Sequence, residues 1–192
     1  MADKKKMEST FFNMVIVLTA IALVSSLALG FTYINTKDAI AAVQLKKTLD
    51  GIKEVLPEFD NNPYESKYNV EGFEGVEFYP AKVGEDYIGT AVKTFAKGFT
   101  EDVIIMVGFD KEGKIVNTSV IKHKETPGLG SKMSTPKFKD QFMGKLPSLE
   151  NGIKVTKDKG EIDAISAATI SSRAFCEAVS RGYKGLIKGG KK

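Results

Sequence analysis

The longest apolar run in the chain extends from Phe11 to Tyr33 and contains no charged residue. As an α-helix it would be about 34 Å long at about 1.5 Å per residue, which is enough to cross the ~30 Å hydrocarbon core of a bilayer. A small-x-small sequence at residues 28–30 also fits a cleaved signal peptide, but the run is long for the apolar part of a signal. We therefore predict an uncleaved transmembrane helix over residues 11–33.

The lysines around this run indicate its orientation. Three lysines occupy positions 4–6, directly before the run, whereas Lys37 is the one lysine close behind it. A wider window also includes Lys46, Lys47 and Lys53 behind the run, and the number of lysines then no longer distinguishes the two sides. Because positively charged flanks tend to stay in the cytoplasm, the immediate flanks predict a cytoplasmic N-terminus over residues 1–10. The remainder of the chain would then lie on the extracytoplasmic side of the cell (inner) membrane.

Residues 36–56 show hydrophobic positions at three- and four-residue intervals, which is typical of an amphipathic helix, and Pro57 ends the pattern. We predict a juxtamembrane helix and a linker, together covering residues 34–71. Two interpretations of this helix are open. It is either a stalk or surface for partner subunits, or a helix that packs on its own domain.

Beyond residue 76 the pattern changes to short stretches rich in Val, Ile, Thr and aromatic residues, which favour strands. We predict four strands, at Glu77–Lys82, Tyr87–Ala96, Val103–Phe109 and Lys114–Lys122. The segment Asp110-Lys111-Glu112-Gly113 has the composition of a four-residue hairpin connection between the last two strands. A mainly antiparallel sheet follows from this prediction.

The C-terminal third is expected to add helices to the sheet. Thr135 and Pro136 suit the N-cap and first residue of a helix near residues 135–143, and short strands are predicted at Gly152–Lys157 and Glu161–Ala164. A final helix opens on Thr169, Ser171 or Ser172. The predicted fold class is thus α+β: a single N-terminal transmembrane helix, a small mixed α/β domain over residues 72–188 and a disordered tail over residues 189–192.

Composition excludes several kinds of site. The single cysteine, Cys176, excludes an internal disulfide, a thiolate-held iron–sulfur cluster and a Cys-X-X-Cys-His haem site, and it is interpreted as a core residue. A single histidine, His123, argues against a zinc site. The formal net charge is only +4, with lysines spread along the chain, so nucleic-acid binding is not expected.

The start of the final helix is the candidate functional site. Unpaired N–H groups and partial positive charge at a helix start stabilise an anion, and Ala167 and Ala168 leave the approach free of bulk. The alternative is that the hydroxyl of Thr169 or Ser171 is a simple N-cap. Spacing alone favours that alternative.

The string Asp163-Ala164-Ile165-Ser166-Ala167-Ala168-Thr169 resembles the flavinylation motif D-G-x-[ST]-G-A-T. That motif belongs to the FMN-binding domain family shared by the RnfG and NqrC subunits of ion-translocating respiratory complexes. The resemblance implies that Thr169 carries FMN through a phosphoester bond, installed by a flavin transferase that uses FAD. Ala164 and Ala167 stand where the family more often has Gly, and Ala does not comfortably adopt a positive φ.

A second part of the resemblance is VGFDKEGKIVNTSVIKHKETPGLGSKM, with the loop Glu125–Gly130 as its clearest element. Pro127 and Gly128 suit the central positions of a type II turn. The resemblance places flavin contacts on Glu125, Thr126, Gly128 and Leu129, and on Ser166 and Ala168 beside Thr169. Lys154, Lys157 and Lys159 have two interpretations, as a cation near the flavin phosphate or as solvated surface, and solvated surface is favoured.

The resemblance implies an electron-transfer subunit of a membrane-bound complex of the Rnf type, which passes electrons from ferredoxin to NAD. Its partners would be the other membrane subunits and, during maturation, the flavin transferase. The short chain favours the Rnf type over a subunit of the NqrC type in a sodium-pumping quinone reductase. A membrane-tethered assembly subunit that has lost its flavin is the alternative of a different class.

Overall fold

The computed structural model describes residues 10–190, and these form two compact units that divide between Lys46 and Lys47. Helix α1 spans Phe11–Val55 without interruption, so the predicted transmembrane and juxtamembrane segments belong to one helix. By length and composition α1 can cross a membrane, and its apolar window has no residue buried against protein. Outside the described residues lie residues 1–9, 191 and 192. Most of the predicted N-terminal segment and half of the predicted tail fall on them.

Four strands follow, and each agrees with its prediction to within one residue at either end. They are β1 (Glu77–Val83), β2 (Asp86–Lys97), β3 (Asp102–Asp110) and β4 (Ile115–Lys122). They pair antiparallel in the order in which they occur in the chain. The predicted α+β fold with an antiparallel sheet is therefore confirmed.

The hairpin between β3 and β4 forms where its composition predicted it. The Asp110 carboxylate accepts hydrogen bonds from the backbone N–H groups of Glu112 (2.8 Å) and Lys114 (2.9 Å). An Asp side chain can bond the backbone that follows it in this way, which is why Asp favours turns. The φ of +92° at Gly113 completes the reversal at a position where a side chain would be strained.

One face of the sheet is covered by helix α3 (Thr169–Gly189). The apolar positions that predicted this helix are buried, among them Ala174, Phe175, Ala178, Val179 and Leu186. The Thr94 hydroxyl donates to the Ala178 carbonyl at 2.9 Å, which satisfies a polar group inside this core. The sheet therefore gives α3 a fixed support.

The opposite face of the sheet is covered by the last turns of α1, where Ile52 and Val55 pack with Tyr79 and Met106. A Cβ atom added to Gly108 would lie 1.8 Å from the Val55 carbonyl oxygen, so the approach requires glycine. For these last turns the structure favours the interpretation of a helix that packs on its own domain.

A side-chain network holds the same turns of α1. The Glu54 carboxylate accepts hydrogen bonds from Lys139 and from Ser119, both at 2.6 Å. Burial raises the pKa of Glu54, but the hydrogen bonds from Lys139 and Ser119 outweigh it, so the pKa is lowered. The carboxylate form is therefore the one that fits this network.

Helix α2 is short, spanning Pro136–Lys139, and continues as a 3₁₀ turn from Asp140 to Phe142. Pro136 is the first helical residue, as predicted. Thr135 occupies the N-cap position, but its hydroxyl donates to the Lys132 carbonyl instead of capping the helix. Phe138 and Phe142 are buried together.

The strands predicted at Gly152–Lys157 and Glu161–Ala164 are wrong. One parallel bridge joins Val155 to Ile162, and between them Thr156–Asp158 form a 3₁₀ turn. Parallel strands need a crossover of a dozen or more residues, so two segments this close in sequence cannot extend such a bridge into a ladder. The turn closes with Lys159 in the left-handed region, at φ 62°.

Candidate functional site

Thr169 is the first residue of α3, which confirms the first of the three predicted starting points. Ala168 holds the N-cap position and has no side chain that could cap the helix. The helical ladder begins with the hydrogen bond from the Ser172 N–H to the Ala168 carbonyl, at 3.0 Å. The N–H groups of residues 169–171 therefore have no intrahelical partner, as expected at a helix start.

The turn that leads into α3 places Ala167 at φ 60°, in the left-handed region. Ala164, the other alanine that stands where the family more often has Gly, is not among the residues with positive φ. The Ser172 hydroxyl fastens the turn, because it accepts from the Ile165 N–H at 2.9 Å and donates to the Ala168 carbonyl at 3.0 Å. Ala167 thus adopts a positive φ at the position where the family more often has Gly.

The Glu125–Gly130 loop has the predicted turn. The Leu129 N–H donates to the Thr126 carbonyl at 3.2 Å, and Gly128 has φ +75°. These features match a type II turn with Pro127 and Gly128 at its centre. The Gly128 N–H donates to the Ser131 hydroxyl at 2.9 Å, so the loop uses this donor internally.

A cleft of about 390 Å³ lies between this loop and the start of α3. It is lined by Phe99, Glu125, Thr126, Leu129, Gly130, Ala167, Ala168, Thr169, Ile170 and Ser171. Five of the seven predicted site residues thus meet at one cleft. The other two, Gly128 and Ser166, are not in its lining, and Ser166 borders a neighbouring depression of about 360 Å³.

A larger cleft, of about 560 Å³ beside Lys145, Lys154 and Glu161, contains none of the motif residues.

Glu125 connects three segments around the cleft. Its carboxylate is buried and accepts hydrogen bonds from the N–H groups of Phe99 (2.9 Å) and Thr100 (3.3 Å) and from the Ser171 hydroxyl. These bonds join the turn between β2 and β3, the Glu125–Gly130 loop and the first turn of α3. A buried carboxylate needs such donors, and removing one partner would leave it unsatisfied.

Three exposed apolar side chains surround the opening of the cleft: Phe99 is 68% exposed, Ile170 49% and Leu129 38%. Sequence reasoning missed Phe99 and Ile170. The sequence does contain a signal for Phe99. A large aromatic residue directly after Gly98, in the turn between two predicted strands, is not expected to belong to the core and therefore suggests a role at the surface. Exposed apolar groups that line one concave surface are typical of a ligand site.

Lys157 contacts the hydroxyl of Thr169. Its ammonium group donates to Thr169 Oγ1 at 3.1 Å, so its interpretation as solvated surface does not describe it fully. The neighbouring Asp158 makes a bidentate pair with Arg173 on α3, with both N–O distances 2.7 Å. The Arg173 guanidinium lowers the pKa of Asp158, mainly through these hydrogen bonds.

Cys176 does not line this cleft, and the one acidic side chain in its lining is that of Glu125. Cys176 is buried, and burial raises its pKa to about 12, which fits its interpretation as a core residue. Within residues 10–190, no group of three or more His, Cys, Asp or Glu side chains is placed to hold a metal ion. The chemistry of the cleft therefore rests on hydroxyls, backbone N–H groups, the Glu125 carboxylate and an apolar rim, with the Lys157 ammonium next to Thr169.

Comparison with known proteins assigns the family. Residues 98–184 match the FMN-binding domain family. The chain is 31% identical to the G subunit of the ion-translocating oxidoreductase complex of Aliivibrio fischeri, with 86% of this chain and 85% of that protein covered. It is also 31% identical to the protein of the same name from Methanosarcina acetivorans, with 93% and 94% covered.

A further relative is the G subunit of the proton-translocating ferredoxin:NAD(+) oxidoreductase complex of Clostridium ljungdahlii, at 27% identity with 92% and 91% covered. In fold, the chain resembles the crystal structure of the C subunit of the Na(+)-translocating NADH-quinone reductase from Parabacteroides distasonis. The TM-score is 0.51 at 21% identity, with 71% of this chain and 77% of that chain covered. The chain therefore belongs to the RnfG family, the G subunits of ion-translocating oxidoreductase complexes.

Proposed function

We propose that this chain is the electron-transfer subunit of a membrane-bound, ion-translocating oxidoreductase complex and that it carries FMN covalently on Thr169. The observation that carries the proposal is the position of Thr169. It is the first residue of α3 and lines the same cleft as the Glu125–Gly130 loop. The family match to an FMN-binding domain over residues 98–184 supports FMN as the cofactor.

The residues around the cleft fit FMN in both of its parts. The free N–H groups at the start of α3 and the Lys157 ammonium suit the anionic phosphate. Phe99, Leu129 and Ile170 give an apolar surface suited to the planar ring system. Glu125 would act as a positioning residue, since its carboxylate holds the segments that carry Phe99 and Ser171.

Attachment is a phosphoryl transfer to the Thr169 hydroxyl. Thr169 Oγ1 forms a bond to the phosphorus of the FMN half of FAD, and the pyrophosphate bond to the AMP half breaks. AMP leaves with the electron pair, and a base of the flavin transferase takes the hydroxyl proton. A threonine hydroxyl is a weak nucleophile by itself, which is why an external transferase is required.

Bound FMN supplies the redox chemistry, and the protein positions it and sets its electrostatic surroundings. We place the flavin domain on the extracytoplasmic side, with α1 as the membrane anchor and a cytoplasmic N-terminus. Covalent attachment would keep the flavin in a compartment that has no flavin pool. The electron donor and acceptor would be neighbouring membrane subunits of an Rnf-type complex, which transfers electrons from ferredoxin to NAD, as the name of the Clostridium relative states.

In-gel fluorescence tests the attachment. The full chain, co-expressed with a flavin transferase, is expected to retain flavin fluorescence on a denaturing gel, and Thr169→Ala is expected to abolish it. Ser166→Ala is the matched control, because Ser166 is a hydroxyl of the same motif that lies outside the cleft lining. Flavin that dissociates from the denatured wild-type chain, or fluorescence that survives Thr169→Ala, would contradict the proposal.

Two alternatives have separate outcomes. Because the fold is shared with the quinone reductase protein of Parabacteroides, an NqrC-like role is the first alternative. The identity of the subunits that co-purify with the native chain distinguishes the two complexes. The strained Ala167 supports the second alternative, an assembly subunit that has lost its flavin. A wild-type chain that never acquires flavin while the transferase is active would favour that second alternative.

A further inference from the structure

We propose that Lys157 is the residue that binds the flavin phosphoryl group during its transfer to Thr169 and afterwards, and that the Asp158–Arg173 pair positions it. This inference rests on the proposed attachment of FMN to Thr169. The observation behind it is the contact between two side chains that are twelve residues apart, Lys157 Nζ and Thr169 Oγ1, at 3.1 Å.

The contact suits the acceptor oxygen. A hydroxyl has one proton to donate and two lone pairs. The ammonium of Lys157 occupies one lone pair, which leaves the other free for the new bond to phosphorus and leaves the proton free for the transferase. Lys157 itself is a donor and not a base in this arrangement, so its contribution is to stabilise negative charge as it accumulates on the phosphoryl group.

The same contact suits the product. Once Thr169 is esterified, the linking phosphodiester carries a negative charge next to the oxygen that Lys157 already contacts. A hydrogen bond between an ammonium and a phosphate oxygen is stronger than one between neutral groups. The flexible lysine side chain can follow that charge from the hydroxyl to the phosphoryl oxygens without movement of the backbone.

The backbone at Lys157 is fixed to α3 by its neighbour. Asp158 binds Arg173 through Nε and Nη2, both at 2.7 Å. Arg173 lies four residues after Thr169, so the two side chains share one face of the helix. The pair therefore ties the Thr156–Asp158 turn to the helical turn that begins with Thr169.

The turn is also closed internally. The N–H groups of Asp158 and Gly160 both donate to the Val155 carbonyl, at 2.8 and 3.0 Å, and the Val155 side chain is buried. Lys154 and Lys159 flank the same turn, but within the described part of the chain neither shows a hydrogen bond to Thr169. The contact is thus specific to one lysine of the three.

The test measures the kinetics of flavinylation of the full chain in detergent, with purified transferase, FAD and Mg²⁺, by in-gel fluorescence and intact mass. Lys157→Ala is expected to lower the kcat of attachment about tenfold or more, because hydrogen bonds to charged groups contribute at least this factor. Lys157→Arg should restore most of the rate. Lys154→Ala, which removes a lysine of the same segment, is the matched control and should behave like the wild type.

The outcomes separate this inference from the attachment itself. A wild-type chain that is flavinylated while Lys157→Ala proceeds at the wild-type kcat, or shows only a raised KM for the chain, overturns the inference and leaves the attachment intact. A wild-type chain without covalent flavin overturns the proposed function. Lys157 is exposed, so a thermal melt of Lys157→Ala that matches the wild type is expected and excludes a folding defect as the cause.

The positioning pair has its own test. Arg173→Leu is expected to lower the attachment rate less than Lys157→Ala does, and the double variant is expected to be no slower than Lys157→Ala, since both act through one contact. Glu161→Gln, which removes the nearby Lys145–Glu161 ion pair, is the control. Additive losses in the double variant would contradict a positioning role for Arg173.

Discussion

At the scale of single residues, the two alanines that replace the motif's usual glycines have different physical consequences. Ala167 has φ 60°, a conformation that costs an L-residue about 1 kcal/mol or more, whereas Ala164 is not in the positive-φ region. We expect Ala167→Gly to raise the free energy of unfolding by about 0.5–1 kcal/mol. Ala164→Gly should lower it by at least a similar amount, because Gly there adds freedom to the unfolded chain and removes a partly buried methyl group that packs against the core.

Chemical denaturation of the full chain in detergent, followed by circular dichroism, measures both changes. Equal shifts in the same direction for the two variants would contradict this account. The flavinylated fraction of Ala167→Gly is informative as well. We expect it to equal that of the wild type, because the turn already has the required conformation with Ala.

Phe99 is expected to shield the flavin ring from solvent. Its N–H bond to Glu125 is made by the backbone, so Phe99→Ala removes the ring and leaves that bond in place. Because an aromatic side chain covers roughly 150–250 Å² when it packs, iodide quenching of flavin fluorescence should increase about twofold or more in Phe99→Ala, with the flavinylated fraction unchanged.

Val83→Ala is the control for Phe99→Ala. Val83 is an exposed apolar residue at the opposite end of the β1–β2 hairpin from the Gly98–Phe99 turn. Its removal should leave the iodide quenching unchanged. Unchanged quenching in Phe99→Ala would show that the ring does not pack there.

Local sequence signals account for part of the site only. The type II turn at Pro127–Gly128 and the helix start at Thr169 follow from rules about a few consecutive residues. The contact of Lys157 with Thr169 depends instead on how the Thr156–Asp158 turn docks on α3. Nothing in the spacing of the two residues encodes that docking.

At the scale of elements, Glu77 at the start of β1 connects this strand to β2 and to the segment that precedes it. Its carboxylate accepts hydrogen bonds from Lys67 (3.1 Å), Lys93 (2.9 Å) and Tyr79 (2.9 Å). Burial raises the pKa of Glu77, but these three donors outweigh it, and the pKa falls to about 2.

Because the folded-state pKa of Glu77 is depressed, its ionised form stabilises the folded chain above the unfolded pKa of about 4.5. That contribution disappears as the pH falls from about 4.5 towards 2. We expect Glu77→Gln to lower the free energy of unfolding by about 2 kcal/mol at pH 7 and by progressively less below pH 4.5. Denaturation curves at a series of pH values measure the difference between variant and wild type.

Glu112→Gln is the matched control for Glu77→Gln, since Glu112 pairs with Lys114 but is largely exposed. Solvent screens a pair this exposed, so this variant should show only a small effect. A Glu77→Gln effect that does not change between pH 7 and pH 3 would contradict the assigned ionisation.

The elements of the sheet were predictable because their signals are local. Stretches rich in Val, Ile, Thr and aromatic residues, together with the Asp110–Gly113 turn chemistry, define β3 and β4 to within one residue. The strands predicted at residues 152–157 and 161–164 failed because β-rich composition does not specify a pairing partner. The sequence showed an apolar pattern and an amphipathic pattern as two separate segments. It did not show that α1 continues from one to the other through Lys37 and Asp38.

At the scale of the whole molecule, an extracytoplasmic flavin domain is the part of the proposal that depends on the membrane. Labelling with a membrane-impermeant maleimide tests it, and the chain is suited to this method. Cys176 is buried and its pKa is raised to about 12, so it supplies little reactive thiolate at neutral pH. The wild-type chain should therefore be unlabelled in its folded state.

Ser66→Cys places a thiol in an exposed loop of the flavin-domain unit, and Ala2→Cys places one before the apolar run. In intact cells we expect Ser66→Cys to be labelled and Ala2→Cys to be labelled only after lysis, because the lysines at positions 4–6 favour a cytoplasmic N-terminus. The reverse pattern would place Thr169 on the cytoplasmic side. Covalent attachment would then need a reason other than retention of the flavin outside the cytoplasm.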